Sequence, residues 1–113
     1  MIKVYQLQLT DEEMDIVNSD GWYTPRIHAY FAKGSETRFR AAHFQYYNHV
    51  ANIATTDMED AFRLMNLWED ESKIERLGRC SSMSVGDIIE LEDGSLHRVA
   101  SFGFTTLENA HYA

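Results

Sequence analysis

The pair Asp93-Gly94, which stands between two largely apolar segments, constrains the fold of this 113-residue chain more than any other feature. The segments are residues 87–91 and 96–104. Asp-Gly is a preferred central pair of a type I′ turn, because glycine readily adopts the positive φ angle that this turn requires. The pattern therefore predicts a β-hairpin in which Ile88 faces Val99. In that register apolar residues fall on both faces, which indicates either strands buried on both sides or a β-bulge.

A short strand is predicted near the N-terminus, over residues 3–9, where apolar and polar residues partly alternate. Thr10 and Glu13 follow with the spacing of a capping box, in which each side chain bonds the backbone amide of the other residue. This spacing predicts a helix that runs to about Ser19, and Gly21 is expected to end it.

The middle of the chain predicts further helices. Thr24-Pro25 resembles an N-cap followed by proline at the first helical position, and a second helical pattern starts near Ser35. The clearest helical pattern covers residues 57–68. Its apolar stripe consists of Met58, Ala61, Phe62, Met65 and Trp68. Residues 71–77 are expected to add one or two helical turns, whereas residues 50–55 allow a short strand.

These elements predict an α+β fold for a single domain that spans residues 1–113. Its sheet is expected to be small and mostly antiparallel, built from the N-terminal strand and the hairpin over residues 87–104, and packed by several helices. Hydrophobic residues make up 44% of the chain and proline occurs once, a composition typical of a folded protein.

Cysteine content and hydropathy narrow the class of protein. The single cysteine, Cys80, excludes an intramolecular disulfide and is typical of a reducing compartment. No apolar run approaches the ~18 residues of a membrane-spanning helix, and the N-terminus lacks the apolar core of a signal peptide. We therefore expect a cytoplasmic protein that does not engage a membrane.

The chain is acidic, with a net charge of −8 and only ten Lys and Arg residues, which are dispersed along it. Direct binding to nucleic acid requires clustered basic residues that neutralise phosphates, so it is not expected here. The acidic residues either serve solubility or form a negative surface that meets a basic partner, and the sequence leaves both interpretations open.

No catalytic residue, metal site or cofactor is predicted. His43 and His49 are six residues apart, which is too far for one helix face, and they lack a clear third ligand. Glu90 is expected to lie opposite His97, where the two side chains would form a cross-strand pair rather than an acid–base dyad.

Two groups of side chains are candidates for binding. The first group lies beside the predicted hairpin, would hold a small ligand, and consists of Arg79, Ser82, Ser84 and His97. The second group comes from a dense set of aromatic residues, would contact a partner protein, and consists of Trp22, Tyr23, Tyr46 and Tyr47. Aromatic rings more often pack in a core, but Tyr and Trp also anchor protein interfaces.

Both ends of the chain carry motifs of a known family. The opening Val4-Tyr5-Gln6-Leu7, the segment of residues 82–91 and the return Ser101-Phe102-Gly103-Phe104 resemble the YodL-like domain. Gly86 stands where a serine is common in that family. The resemblance implies a protein of phages, plasmids or conjugative elements, often encoded beside antirestriction-type proteins, and it brings no catalytic residues.

The residues of these motifs have a structural interpretation of their own. Gly86 is expected to permit a turn, Ser84 to bond the backbone near Asp87, and Asp87 to bond back through an Asx-type hydrogen bond. Phe102 and Phe104 are expected to lie on one strand face with a glycine between them.

The leading hypothesis is therefore a non-enzymatic protein of a phage or mobile element that binds a host protein, such as a defence or nucleic-acid-processing factor, in an antirestriction-like role. The alternative is a small-ligand or nucleotide-binding module, or a weak enzyme, with a pocket near the C-terminal hairpin. A structural virion component is a third hypothesis.

Overall fold

The computed structural model describes residues 1–67 and 70–107. The strands in this part of the chain are β1 (Ile2–Gln6), β2 (Asn48–Ile53), β3 (Ile74–Arg76), β4 (Ile88–Glu90), β5 (Leu96–Val99) and β6 (Phe104–Leu107). The α-helices there are α1 (Asp11–Asn18), α2 (Pro25–Ala32) and α3 (Met58–Leu67), and 3₁₀ helices cover Ala41–Tyr46 and Glu71–Lys73. These six strands form one antiparallel sheet in the order β3-β2-β1-β4-β5-β6. The predicted α+β fold is confirmed.

Each face of the sheet packs against its own apolar cluster. Successive strand residues point to opposite faces, so Ile89 joins one cluster and Ile88 joins the other. The first cluster includes Met65 of α3, and the second includes Ala29 of α2. Strands β4 and β5 are therefore buried on both sides, which is one of the two alternatives that the sequence left open.

The first helix begins as its sequence predicts. The backbone N–H of Thr10 donates to Oε1 of Glu13 at 2.8 Å, and the N–H of Glu13 donates to Oγ1 of Thr10 at 3.2 Å, which completes the capping box. The helix ends at Asn18 with Ser19 as its C-cap, close to the predicted end, but the left-handed residue that follows is Asp20, with φ of 58°, and not Gly21. Gly21 instead lies close to Ile16, where an added Cβ would crowd that side chain.

The other predicted helix starts are also present. The Oγ1 of Thr24 accepts a hydrogen bond from the backbone N–H of Ile27, and Pro25 is the first residue of α2. In α3, Met65 lies in the first apolar cluster as its stripe predicts. Phe62 belongs to the same stripe but is 36% exposed at the border of the helix face. Trp68, the last residue of the stripe, lies outside the described residues.

The hairpin between β4 and β5 forms, but its register differs from the predicted one by one residue. Glu90 pairs with Leu96 instead of facing His97, and Ile88 pairs with Arg98 instead of Val99. The predicted cross-strand pair of Glu90 and His97 is therefore wrong.

The turn chemistry explains this shift. The N–H of Gly94 donates to the carbonyl oxygen of Leu91 at 2.9 Å, and the N–H of Leu91 donates to the carbonyl oxygen of Ser95 at 3.0 Å. Gly94 has φ of +85°, whereas Asp93 does not have a positive φ, so the type I′ prediction is wrong. The loop is a three-residue connection that ends in a glycine bulge, and the extra residue moves the register by one.

At each edge of the sheet the structure contains a strand that was not predicted as a separate element. Residues 74–76 were expected to be helical, but Ile74 is buried in the first cluster and pairs with Ile53, so this segment becomes the edge strand β3. At the other edge, the return strand stops at Val99, and a turn leads to the separate strand β6. Phe102 is therefore 96% exposed in a turn and does not share a strand face with Phe104.

Two segments in the middle of the chain differ from the prediction. Residues 35–46 are less regular than a single helix, and β2 lies inside the sheet. The residues after Ser35, predicted to be helical, first form a turn in which the Ser35 hydroxyl accepts a hydrogen bond from the N–H of Arg38 at 3.2 Å. The 3₁₀ helix Ala41–Tyr46 follows this turn. The strand allowed over residues 50–55 begins earlier, as β2, and pairs with β1 and β3 inside the sheet.

Candidate binding surfaces

The turn over residues 84–87, which leads into β4, is fastened by Asp87. Its backbone N–H donates to the carbonyl oxygen of Ser84 at 3.0 Å, and Gly86 has φ of +97°. The Oδ2 of Asp87 accepts from the N–H of Ser84 at 2.9 Å and from Nε2 of Gln6 at 3.0 Å. The expected glycine turn and Asx-type bond are confirmed. Burial raises the pKa of Asp87 to about 6.

Gln6 extends this arrangement to the segment that precedes the turn. Its Nε2 donates to the carbonyl oxygen of Ser81 at 3.0 Å, and its Oε1 accepts from the N–H of Ser81 at 3.0 Å. The buried side chain of Gln6, at the end of β1, therefore makes the backbone hydrogen bonds that a neighbouring strand would otherwise make with this segment. Residues 81–84 lie outside the sheet ladder, and these polar contacts hold them together with the burial of Met83 in the first apolar cluster.

A second buried charge, Arg98 of β5, anchors the end of α2. Its Nη2 and Nε donate to the carbonyl oxygen of Lys33 at 2.6 and 3.1 Å, and its Nη1 forms an ion pair with Oε2 of Glu36 at 2.8 Å. The guanidinium carbon lies 5.1 Å from the ring centre of Phe39. The ammonium of Lys33 lies 4.0 Å from Oδ1 of Asp87. Lys33 therefore contacts both buried charges, Asp87 through its side chain and Arg98 through its carbonyl oxygen.

A cleft, here called the Arg79 cleft, opens beside this polar network and has a volume of about 420 Å³. Its polar lining includes Asp11, Lys33, Arg79, Ser81 and Ser84. Leu7, Leu9, Met14 and Tyr30 supply apolar wall. The cleft lies where β1 leaves the sheet, between α1, α2 and the segment that Gln6 holds in place.

The structure brings together only half of the predicted ligand-binding residues. Arg79 and Ser84 both line the cleft, whereas Ser82 and His97 do not. His97 lies on β5, nearly buried, where its ring nitrogens contact the hydroxyls of Ser95 at 2.9 Å and Thr106 at 3.2 Å. The register shift in the hairpin changed the position of His97 relative to its predicted neighbours. Lys33, which does line the cleft, was not predicted.

A second candidate surface surrounds the loop between α1 and α2, and we call it the Trp22 patch. It consists of Trp22, Tyr23, His28 and Phe31. Trp22 is 97% exposed, Tyr23 38% and Phe31 41%. The ring of Tyr23 stacks on Phe31 with centroids 5.6 Å apart, and it meets His28 edge-on at 5.6 Å.

The loop that carries Trp22 is held at both ends. The N–H of Gly21 donates to the carbonyl oxygen of Ile16 at 2.9 Å, and Thr24 caps α2 through its bond to Ile27. The indole is therefore presented by a defined backbone, and its exposure is not the result of a loose terminus.

The aromatic group predicted to bind a partner is divided by the fold. Trp22 and Tyr23 lie together in the Trp22 patch, but Tyr46 packs partly against the second apolar cluster. Tyr47 is only 8% exposed, and its hydroxyl donates to the carbonyl oxygen of Gly86 at 2.5 Å. Burial raises the pKa of Tyr47, consistent with a neutral phenol in the core. Phe31 completes the patch, because α2 places it three residues after His28.

Acidic residues occur on α1 and in the loop that joins it to α2. The first turn of α1 contains Asp11, Glu12 and Glu13, and no residue of α1 is buried. Asp20 lies directly before the patch and lines the same shallow depression as Trp22. Asp20 thus places a negative charge at the border of the aromatic surface, whereas the acidic first turn lies at the other end of α1.

Among residues 1–67 and 70–107, no group of three or more His, Cys, Asp or Glu side chains could hold a metal ion. No helix in the described part of the chain is long and apolar enough to cross a membrane. Comparison of the sequence and fold with protein-family models, curated proteins and solved structures finds no match. The resemblance to the YodL-like domain stays a prediction.

Proposed function

We propose that this chain is a non-enzymatic binding protein that contacts a basic surface of another protein through the Trp22 patch. The observation that carries this proposal is the 97% exposure of Trp22 in a loop held at both ends. Indole surface exposed to water is unfavourable for an isolated protein, and its burial in a partner would recover that free energy.

The neighbours of Trp22 support an interface rather than an isolated exposed ring. Tyr23 lines the same shallow depression as Trp22, and its ring stacks on Phe31, so further aromatic surface lies close to the indole. Trp and Tyr are enriched among the residues that contribute most to binding, typically about 2 kcal/mol or more each. Because the loop is held at both ends, little backbone entropy would be lost when the patch is covered.

Charge indicates the kind of partner. The chain carries a net charge of −8, and Asp20 lies directly before the patch in the shallow depression that Trp22 also lines. A basic protein surface would be attracted to this border, and the attraction would increase the association rate. A second acidic protein would be repelled.

The resemblance to YodL-like domains suggests the biological setting of this proposal. In that setting the chain is encoded by a phage or mobile element, acts in the bacterial cytoplasm, and binds a host protein. A defence or nucleic-acid-processing factor fits, because such proteins carry basic surfaces for nucleic acid. The role would be antirestriction-like, and it involves no direct binding of nucleic acid by this chain.

The test compares two nearly fully exposed aromatic residues. Host proteins captured from a bacterial lysate by the wild-type chain are identified, purified and titrated against the wild type, Trp22→Ala and Phe102→Ala. Phe102 is 96% exposed in the turn before β6 and serves as the matched control. We expect Trp22→Ala to weaken binding about 30-fold, and Phe102→Ala to change it less than about twofold.

Charge is tested with the same purified partner. Raising the salt concentration from about 0.05 to about 0.5 M is expected to lower the association rate at least about tenfold. An equal loss of affinity for Trp22→Ala and Phe102→Ala would contradict the proposed surface. A salt-independent association rate would contradict a basic partner.

A further inference from the structure

We infer that the Arg79 cleft binds a small organic molecule through a phosphate or carboxylate group, and that Arg79 is its main charged contact. This site is separate from the Trp22 patch, and either proposal stands if the other fails.

Arg79 differs from the other arginines in its contacts. Each of the other six donates a hydrogen bond to an acceptor within the described residues, namely Arg26, Arg38, Arg40, Arg63, Arg76 and Arg98. Arg79 makes no hydrogen bond or ion pair with residues 1–67 or 70–107. Arg79 is exposed and lines the cleft, so its guanidinium donors are available to a ligand, and this fork matches the geometry of a carboxylate or phosphate.

The remaining lining also favours an anion. Lys33 supplies a second positive charge, which Asp87 partly offsets at 4.0 Å, and Asp11 supplies the only carboxylate among the described lining residues. The formal charge of these lining residues is therefore +1 (two cations and one anion). This contrasts with the net charge of −8 for the whole chain. The hydroxyl of Ser84 makes no hydrogen bond within the described residues and is available as a donor.

The walls are held in place before any ligand binds. The ammonium of Lys33 is 4.0 Å from Oδ1 of Asp87 and 5.0 Å from the ring centre of Tyr30, which restricts its position. Gln6 fixes Ser81 through two hydrogen bonds to its backbone. A preformed polar wall binds a ligand group without a large ordering cost.

Size and wall chemistry define the ligand class. A volume of about 420 Å³ lies within the range of small-molecule sites, about 300–1,000 Å³. Leu7, Leu9 and Tyr30 line the cleft beside its charged groups. The ligand would therefore combine one anionic group with a compact apolar or aromatic part.

Two probes with the same ring separate the possible anions. The ¹⁵N-labelled full chain is titrated with phenyl phosphate and with benzoate at physiological ionic strength, and backbone amide shifts are followed by NMR. We expect saturable shifts at residues that line the cleft for at least one probe, with a Kd of about 1 mM or lower. Tighter binding of phenyl phosphate would assign a phosphate ligand, and tighter binding of benzoate a carboxylate.

Matched charge variants test the role of Arg79. Arg79→Gln is expected to weaken binding of the preferred probe about tenfold or more, because charge-assisted hydrogen bonds are lost. Arg63→Gln removes the same charge from α3, which does not line the cleft, and is expected to change the affinity less than about twofold. Unchanged amide shifts far from the cleft check that Arg79→Gln remains folded.

Three results would overturn the inference. The first is the absence of saturable shifts for both probes up to about 10 mM. The second is equal weakening by Arg79→Gln and Arg63→Gln, which would indicate attraction to overall charge. The third is saturable binding that is unaffected by Arg79→Gln.

Discussion

The turn over residues 84–87 and the loop over residues 19–24 use their side chains in opposite ways. In the turn, Asp87 is 1% exposed and its carboxylate accepts hydrogen bonds from Gln6 and from the Ser84 backbone. In the loop, Trp22 is 97% exposed, although the backbone on either side is fixed. The turn thus directs the Asp87 carboxylate into the protein, whereas the loop directs its largest side chain into the solvent.

This difference indicates how each region will respond to substitution. Contacts made inside the protein contribute to the free energy of unfolding, and their removal lowers it. A side chain without such contacts contributes little to stability, so its loss would be detected only in binding. Stability measurements on variants of both regions therefore test the contrast directly.

The largest effect is expected for Gly86→Ala, which should lower the free energy of unfolding by at least about 4 kcal/mol. Gly86 has φ of +97°, and an added Cβ would overlap the carbonyl oxygen of Lys33. That oxygen already accepts two hydrogen bonds from Arg98, so it has little freedom to move. Urea denaturation followed by circular dichroism measures the change.

Gly94→Ala separates the steric part of this effect from the conformational part. Gly94 also has a positive φ, +85°, but nothing lies within 4 Å of an added Cβ. We expect a loss of only about 1–2 kcal/mol, from the left-handed backbone alone. Similar losses for the two alanine variants would mean that the turn over residues 84–87 is not tightly packed against α2.

Burial raises the pKa of Asp87 to about 6, so the free energy of unfolding is expected to depend on pH. The folded state therefore binds the proton more tightly than the unfolded state, where the pKa of Asp is about 3.9. This contribution to stability is complete below about pH 4 and is lost as the pH rises through 6. The free energy of unfolding of the wild type relative to Asp87→Asn should fall by about 3 kcal/mol between about pH 4 and pH 7.

Asp93→Asn provides a control of opposite sign. Hydrogen bonds from Ser95 lower the pKa of Asp93, so its contribution to stability is present at neutral pH and is lost on acidification. The wild-type advantage over Asp93→Asn should therefore decrease as the pH falls. A difference between the wild type and Asp87→Asn that does not change with pH would show that the Asp87 carboxylate is solvated in solution.

Hydrogen bonds between residues that are close in the chain could be predicted from the sequence. The capping box of Thr10 and Glu13, the N-cap at Thr24 and the bond from Asp87 to Ser84 all join residues three positions apart, and all were predicted or expected. Such interactions depend on local spacing, which the sequence displays directly.

Interactions over long separations were not predicted. Arg98 bonds the carbonyl oxygen of Lys33 across 65 positions, and Gln6 bonds Asp87 across 81. No local pattern indicates that these residues will meet, and the Arg79 cleft depends on them because Lys33 forms part of its wall. The one-residue register shift of the hairpin has a different, local origin, since two turn types fit the same Asp-Gly pair.

The smallest effect on stability is expected for Trp22→Ala, which should change the free energy of unfolding by less than about 0.5 kcal/mol. Tyr47→Phe removes a single oxygen atom, yet it should lower that free energy by about 1 kcal/mol, because the buried carbonyl oxygen of Gly86 loses its donor. Thermal and urea denaturation of both variants give the comparison. If the loss of the whole indole costs more than the loss of one hydroxyl, Trp22 packs on the protein in solution, and the proposed binding surface is not exposed.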